Sequence, residues 1–200
     1  MLLYPGGTIA DASTEGYRFF DNFLSDLGLT VARNGVDNLP SLLIFASSLA
    51  LAGLGLVVYF AAMPGLFRGR TLSWALSLLG AGSGIISGVS FVGVAFTPAN
   101  LYGQPHISFV LWAFEAFLGA ALFMTLAMWL AVGRWRREAV LFTAFTILLA
   151  GYVWLLFNGP TLDEAGGLTF QATAQKIIAY TAVGATTVQA YWARQRAERR

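Results

Sequence analysis

The sequence contains no cysteine and a single histidine, His106, and both shortages exclude kinds of site. Without cysteine there is no disulfide framework, thiolate metal site, iron–sulfur cluster or cysteine nucleophile. One histidine excludes a bis-histidine haem and any zinc site that needs two or three histidines. We therefore expect this protein to hold no metal and no cofactor.

Charged residues are also scarce. They make up 11% of the 200 residues, against about 25% in an ordinary soluble domain. Ten of them lie between Asn38 and Ala193, mostly in short loops that separate long apolar segments. A segment of about 20 apolar residues matches a hydrocarbon core roughly 30 Å thick. This composition predicts an all-α integral membrane protein.

Five apolar segments predict a bundle of five transmembrane helices. They cover about residues 42–62, 72–96, 105–132, 140–157 and 169–190. We expect residues 1–40 to form an extracytoplasmic N-terminal segment, and residues 41–200 to form the bundle and a basic cytoplasmic tail. Two hundred residues with five spans leave little room for a separate soluble domain.

The basic residues divide unequally between the two sides of the predicted membrane. One side holds nine arginines, whereas the other holds Arg18, Arg33 and Lys176. Cytoplasmic loops of membrane proteins carry an excess of Lys and Arg. We therefore predict a multi-pass protein of the cell inner (plasma) membrane, with its N-terminus outside, its C-terminus in the cytoplasm and no nucleic-acid partner. The nine are Arg68, Arg70, Arg134, Arg136, Arg137, Arg194, Arg196, Arg199 and Arg200.

Residues 17–27 are predicted to form an amphipathic helix in the N-terminal segment. We expect it to lie in the membrane interface or to pack over the mouth of the bundle. It would either only seal the helix ends or present polar side chains to a site. Its apolar face, at i, i+3, i+4, i+7 spacing, consists of Phe20, Phe23, Leu24 and Leu27. Its polar residues include Asn22, Ser25 and Asp26.

The second predicted span carries a glycine every four residues, at Gly80, Gly84 and Gly88. Small residues at this spacing let helix backbones approach closely in a membrane, where lipid provides no hydrophobic drive for helix association. We predict a helix-packing face, within the bundle or extending to an oligomer contact. Gly53 and Gly55 of the first span are its natural partners.

Three ionisable residues, His106, Glu115 and Lys176, lie within or at the edge of predicted spans. Glu115 follows His106 by nine residues, so it lies about 14 Å deeper at 1.5 Å per residue, close to the midplane. Ionisable groups at that depth are costly and are often functional. Glu115 either pairs with Lys176 across spans three and five, or is protonated and hydrogen-bonded to Tyr152 or Tyr180.

His106 at the outer mouth could also meet Ser25 and Asp26 in an arrangement like a catalytic triad. The simpler alternative is an interfacial hydrogen bond, which is the commoner role of a histidine at a helix N-terminus.

Several short motifs resemble those of a known family. Tyr-Pro-Gly-Gly-Thr at residues 4–8, Gly-Tyr at 16–17 and Asn-Phe-Leu-Ser-Asp-Leu-Gly at 22–28 resemble the first outer loop of bacterial and archaeal polytopic membrane proteins grouped as a domain of unknown function, DUF998. Phe-Thr-Pro at 96–98 and Gln-Lys-Ile-Ile at 175–178 resemble its later motifs. The similarity extends distantly to the eukaryotic Frag1/DRAM/Sfk1 membrane proteins.

The resemblance implies six spans, the first of them before the Tyr-Pro-Gly motif, so we expect this sequence to begin after that span. It also implies that Asp26, His106, Gln175 and Lys176 gather at the outer mouth of the bundle. It implies no particular reaction.

Two functions are compatible with these observations. We favour a non-enzymatic protein, either an accessory subunit of a larger membrane complex or a lipid-organising protein, with membrane lipids and other membrane subunits as partners. The alternative is a lipid or small-molecule handling protein, enzyme or carrier, with an outward pocket between the N-terminal segment and helices three and five. There Asp26 or His106 would bind a head group or act as a base, Lys176 would contact an anion, and Glu115 would be a buried proton site.

Overall fold

The computed structural model describes residues 1–131, 133 and 135–198, with only the backbone given for residues 193 and 196–198. Within these residues the chain is helical and contains no strand. Val132, Arg134, Arg199 and Arg200, on which the predicted end of span three and part of the charge pattern depend, lie outside the described residues. The five helices are α1 (Leu39–Ala62), α2 (Thr71–Ala95), α3 (Gly103–Leu130), α4 (Arg136–Asn158) and α5 (Gly167–Glu198).

Four helices are long and apolar enough to cross a membrane: α2, α3, α4, and α1 together with the 3₁₀ turn Met63–Phe67 that continues it. Each begins and ends close to the residues predicted from the apolar segments, because crossing a membrane requires one unbroken apolar stretch. The fifth helix covers the fifth predicted segment, and it is longer and more polar than the other four.

The helices pack in chain order around an aromatic core. Helix α2 contacts α1 and α3, α3 also contacts α4, and α4 contacts α5. Edge-to-face rings connect three of them: Phe117 of α3 lies 6.1 Å from Phe60 of α1 and 5.3 Å from Phe145 of α4, between ring centroids. Such aromatic pairs add to the stabilisation that burial itself provides.

The close packing of α1 against α2 depends on Gly53 of α1 and Gly88 of α2. A Cβ atom on either residue would lie 2.6 Å from the carbonyl oxygen of the other. Gly84 lies against the ring of Phe60, whereas Gly80 faces Met124 of α3. The three glycines of the predicted packing face are therefore buried inside the bundle, where they contact two different helices.

Residues 1–38 form a compact cap over one end of the bundle, hereafter the capped end. The predicted helix over residues 17–27 is wrong: the chain makes turns there, followed by a short 3₁₀ helix, Leu24–Gly28. An aspartate side chain takes up a backbone N–H that an α-helix over these residues would use. Asp26 Oδ2 accepts from the N–H of Phe23 at 3.0 Å, and in an α-helix this N–H would donate to the carbonyl of Phe19. Such local bonds compete with helix formation.

Candidate functional site

Lys176 of α5 lies at the centre of a buried polar cluster under the cap. Its side chain is 1% exposed, and Nζ donates to the backbone carbonyls of Asn22 at 2.5 Å and Ala172 at 3.0 Å. Nζ also lies 5.5 Å from the ring centroid of Tyr17 and 5.3 Å from that of Phe19, within the range of cation–π attraction. Carbonyl oxygens and aromatic faces therefore surround this ammonium group.

Asn22 connects the parts of the cap to one another. It is fully buried, and its Nδ2 donates to the carbonyl of Gly7 at 2.9 Å and to Asp26 Oδ2 at 3.0 Å. The hydroxyl of Tyr17 donates to the Asn22 carbonyl at 3.1 Å. Burial, and after it the Asp26 carboxylate, raises the pKa of the Tyr17 phenol, so the phenol stays protonated and keeps this hydrogen bond.

Asp26 is paired on both of its oxygens. It is 1% exposed, and Oδ1 accepts from Nε and Nη2 of Arg33 at 3.1 and 3.0 Å, while Oδ2 accepts from Asn22 and from the N–H of Phe23. Within the described residues it makes no hydrogen bond to His106. The structure therefore does not form the triad considered for Ser25, His106 and Asp26.

The cap is fastened to the helices by hydrogen bonds from the 3₁₀ helix and the residues after it. Asn38, which precedes α1, donates through Nδ2 to the carbonyls of Leu27 at 3.2 Å and Leu29 at 2.8 Å. The N–H of Leu24 donates to Gln175 Oε1 of α5 at 2.8 Å. These bonds hold the 3₁₀ helix between α1 and α5.

A pocket of about 290 Å³ lies between the 3₁₀ helix and the capped ends of α3, α4 and α5. We call it the cap pocket. No charged side chain of the described residues lines it. Its polar lining consists of Ser25, His106, Tyr152, Gln171 and Gln175. Its apolar lining includes Phe23, Val110, Leu111, Leu155, Leu156 and Ala174.

All five polar lining residues retain hydrogen-bonding capacity. The hydroxyl of Tyr152 and Oε1 of Gln171 make no hydrogen bond to a described residue. Nδ1 of His106 lies 2.6 Å from the Thr97 carbonyl oxygen, which can only accept, so Nδ1 carries the proton and Nε2 of the neutral ring is left as an acceptor. The hydroxyl of Ser25 makes no hydrogen bond to any described residue. Gln175 uses only Oε1, toward Leu24, so its amide nitrogen is left as a donor.

Glu115 lies away from both groups. It is exposed on α3, on the side opposite the core, and forms no hydrogen bond or ion pair with the residues that the structure describes. Of the two alternatives considered from the sequence, the Glu115–Lys176 pair is wrong, because Lys176 turns toward Asn22 under the cap. Glu115 makes no hydrogen bond to Tyr152 or Tyr180 either. Tyr152 packs its ring 4.8 Å from that of Phe114, and Tyr180 is 54% exposed.

Two buried polar residues at the opposite end of the bundle were not identified from the sequence. Glu138 of α4 is 1% exposed, and Gln189 of α5 is fully buried with Nε2 4.0 Å from Met128 Sδ. A signal for Gln189 exists, since it continues the three-to-four-residue series of the buried Ile178 and Ala185 along α5. Glu138 follows a run of arginines and therefore resembles an ordinary loop charge.

Comparison with known proteins gives one match. A family model described as "Protein of unknown function (DUF998)" matches residues 1–191, which include the cap and nearly all of α5. No curated protein and no solved structure gives a significant match. The family resemblance carried by the short motifs of the cap and α5 is thereby confirmed.

Proposed function

This chain belongs to the DUF998 family of proteins of unknown function, and we propose that it binds an amphiphile with an uncharged polar head in the cap pocket. The observation that carries the proposal is the lining itself: mostly apolar walls, with five polar residues whose hydrogen-bonding capacity the described residues do not fill. Ligand pockets commonly combine a mostly apolar lining with a few such polar groups.

The chemistry of the head group follows from the basic side chains near the cap pocket, which are already bound to other groups of the protein. Lys176 is held by backbone carbonyls and Arg33 by Asp26, and neither lines the cap pocket. A phosphate or carboxylate head would lose its hydration there without gaining a counter-charge, which is costly. A hydroxyl, ester or amide head would find donors and acceptors in Ser25, His106 and Gln175.

The size of the pocket limits the ligand. A volume of about 290 Å³ is just below the roughly 300–1,000 Å³ typical of ligand pockets. We therefore propose a ligand that inserts a single chain or one small ring, with the remainder of the molecule in the surrounding lipid. The function is binding or presentation of a lipid, and it needs no reaction at His106.

In this proposal α5 is a fifth membrane span. Its 32 residues, Gly167–Glu198, extend about 48 Å at 1.5 Å per residue. Within this length Lys176 lies under the cap, and Gln189 lies beside Met128 toward the opposite end. Its polar groups are compatible with lipid. The hydroxyl of Thr181, for example, donates to the carbonyl of Ile177 at 2.7 Å, and this satisfies the hydroxyl without water.

The excess of arginine at the uncapped end places that end in the cytoplasm in this proposal. The capped end then faces outward, and the ligand enters the cap pocket from the outer leaflet. The membrane concerned is the cell inner (plasma) membrane.

The test is to purify the full-length protein from its native membrane in mild detergent and to identify the retained lipids by mass spectrometry. Ala174→Phe fills the cap pocket from α5. Ile177→Phe is the matched control, because Ile177 is 57% exposed on the same helix and does not line the pocket. We expect one class of uncharged lipid to stay on the wild type and the control, and to fall by about tenfold or more on Ala174→Phe.

Folded protein is matched between samples by size-exclusion chromatography before extraction. The proposal is contradicted if all three proteins retain the same mixture, or if the enriched class carries a phosphate or carboxylate head.

A further inference from the structure

Glu115 places a carboxyl group on the outside of the bundle, near the middle of a helix that can cross a membrane. It is 12 residues from the start of α3 at Gly103 and 15 from its end at Leu130. At 1.5 Å per residue these separations are about 18 and 22 Å. The carboxyl group therefore lies near the midplane if α3 spans the membrane.

The orientation of α3 turns Glu115 away from the rest of the chain. The core-facing side carries Phe117 and Met124, which are 2% and 0% exposed. The opposite side carries Trp112 and Leu122, which are 56% and 44% exposed, and Glu115 between them. We call these three residues the α3 outer face.

Ionisable residues within membrane spans almost always face the interior of a bundle or a water-filled cavity, and they pair with another group. Glu115 has neither arrangement within the described residues of this chain. An exposed carboxyl group at this depth is explained if another protein covers the α3 outer face.

A second copy of this chain does not supply the missing partner. A two-fold symmetric contact through the α3 outer face would bring Glu115 next to its own copy, which supplies a second carboxyl group and not a basic side chain. Among the described residues, Lys176 is the one basic side chain well inside a helix, and it is 1% exposed and bound to Asn22. The complementary charge must come from a different chain.

We propose that the α3 outer face docks a transmembrane helix of a different membrane protein, and that this helix carries a lysine or arginine at the depth of Glu115. Polar pairs across helices contribute to association in membranes. Trp112 and Leu122 provide the apolar surface on either side of the pair. The interface is independent of the cap pocket and does not require a bound amphiphile.

The experiment places a photo-crosslinking amino acid at Leu122 of the full-length protein in its native membrane. The control position is Ile147 on α4, which is 67% exposed. We expect a crosslink from position 122, and none from 147, to one transmembrane helix that contains a basic residue. Its yield should fall by about tenfold in Glu115→Leu. It should return when Glu115→Lys is combined with a glutamate in place of the partner's basic residue.

Other outcomes overturn the proposal. They are a crosslink only to a second copy, a crosslink only to lipid, a partner helix without a basic residue, or an unchanged yield in Glu115→Leu. If Glu115→Leu does not accumulate, the wild type is treated with dicyclohexylcarbodiimide, which modifies protonated carboxyl groups in lipid. We expect Glu115 to be protected in native membranes and labelled after detergent separates the complex. Rapid labelling in the native membrane would show a lipid-exposed acid.

Discussion

The two sides of the 3₁₀ helix Leu24–Gly28 differ in how completely the protein satisfies their polar groups. On one side, Asn22, Asp26 and Lys176 are each at most 1% exposed, and each makes at least two side-chain hydrogen bonds to protein atoms. On the other side, Ser25 lines the cap pocket together with His106 and Gln175, and each of these has a donor or acceptor to spare.

In the proposed function, this difference separates a structural role from a binding role. A buried polar group stabilises a fold only when its hydrogen bonds are made, and it is costly when they are lost. A group that binds a ligand must keep some of that capacity free. The charged residues Asp26 and Lys176 therefore belong to the framework of the cap, whereas the neutral residues of the cap pocket are the ones available to a ligand.

Removing Asp26 should have the largest effect on stability. Asp26→Ala leaves the partly buried N–H of Phe23 and the guanidinium of Arg33 without their acceptor. We expect a loss of about 3 kcal/mol in the free energy of unfolding, measured in detergent by thermal unfolding with a fluorescent fusion and size-exclusion readout. The control Glu15→Ala, at an exposed cap position, should change it by less than about 0.5 kcal/mol. Equal stabilities for the two variants would refute a structural role for Asp26.

Replacing Lys176 tests the same side of the 3₁₀ helix, and the expected loss of stability is smaller than for Asp26. Lys176→Met keeps much of the aliphatic stem and removes the donors to the carbonyls of Asn22 and Ala172. We expect unfolding to become easier by about 2 kcal/mol, with unchanged lipid retention per molecule of folded protein. A variant of normal stability that no longer retains lipid would instead make Lys176 a head-group contact, and the two sides would no longer differ.

The membrane spans could be predicted from the sequence because crossing a membrane requires a long apolar segment, which is a local property of the chain. Helices α1 to α4 lie where the apolar segments place them. The family motifs at residues 22–28 and 175–178 could also be recognised in the sequence. The structure brings them into contact through the hydrogen bond from Leu24 to Gln175.

Partners that depend on tertiary packing could not be predicted in this way. Lys176 binds a backbone carbonyl of Asn22, and a carbonyl has no sequence signature that distinguishes it from any other. The direction of Glu115 depends on which sides of α3 its neighbours cover. The apolar spacing over residues 17–27 is real, but the Asp26 carboxylate binds the N–H of Phe23, and turns followed by a short 3₁₀ helix form instead of the predicted helix.

Removing the hydroxyl of Ser25 should have the smallest effect on the fold and so gives the sharpest test of the comparison. Ser25→Ala breaks no hydrogen bond to the described residues, and we expect the free energy of unfolding to change by less than about 0.5 kcal/mol. One hydrogen bond to the ligand contributes about 1 kcal/mol, so lipid retention should weaken about fivefold. The control is Ser47→Ala on α1, where the hydroxyl bonds only to carbonyls of its own helix. If Ser25→Ala lowers stability and leaves lipid retention unchanged, the side of the 3₁₀ helix that faces the cap pocket has a structural role too, and the two sides do not differ.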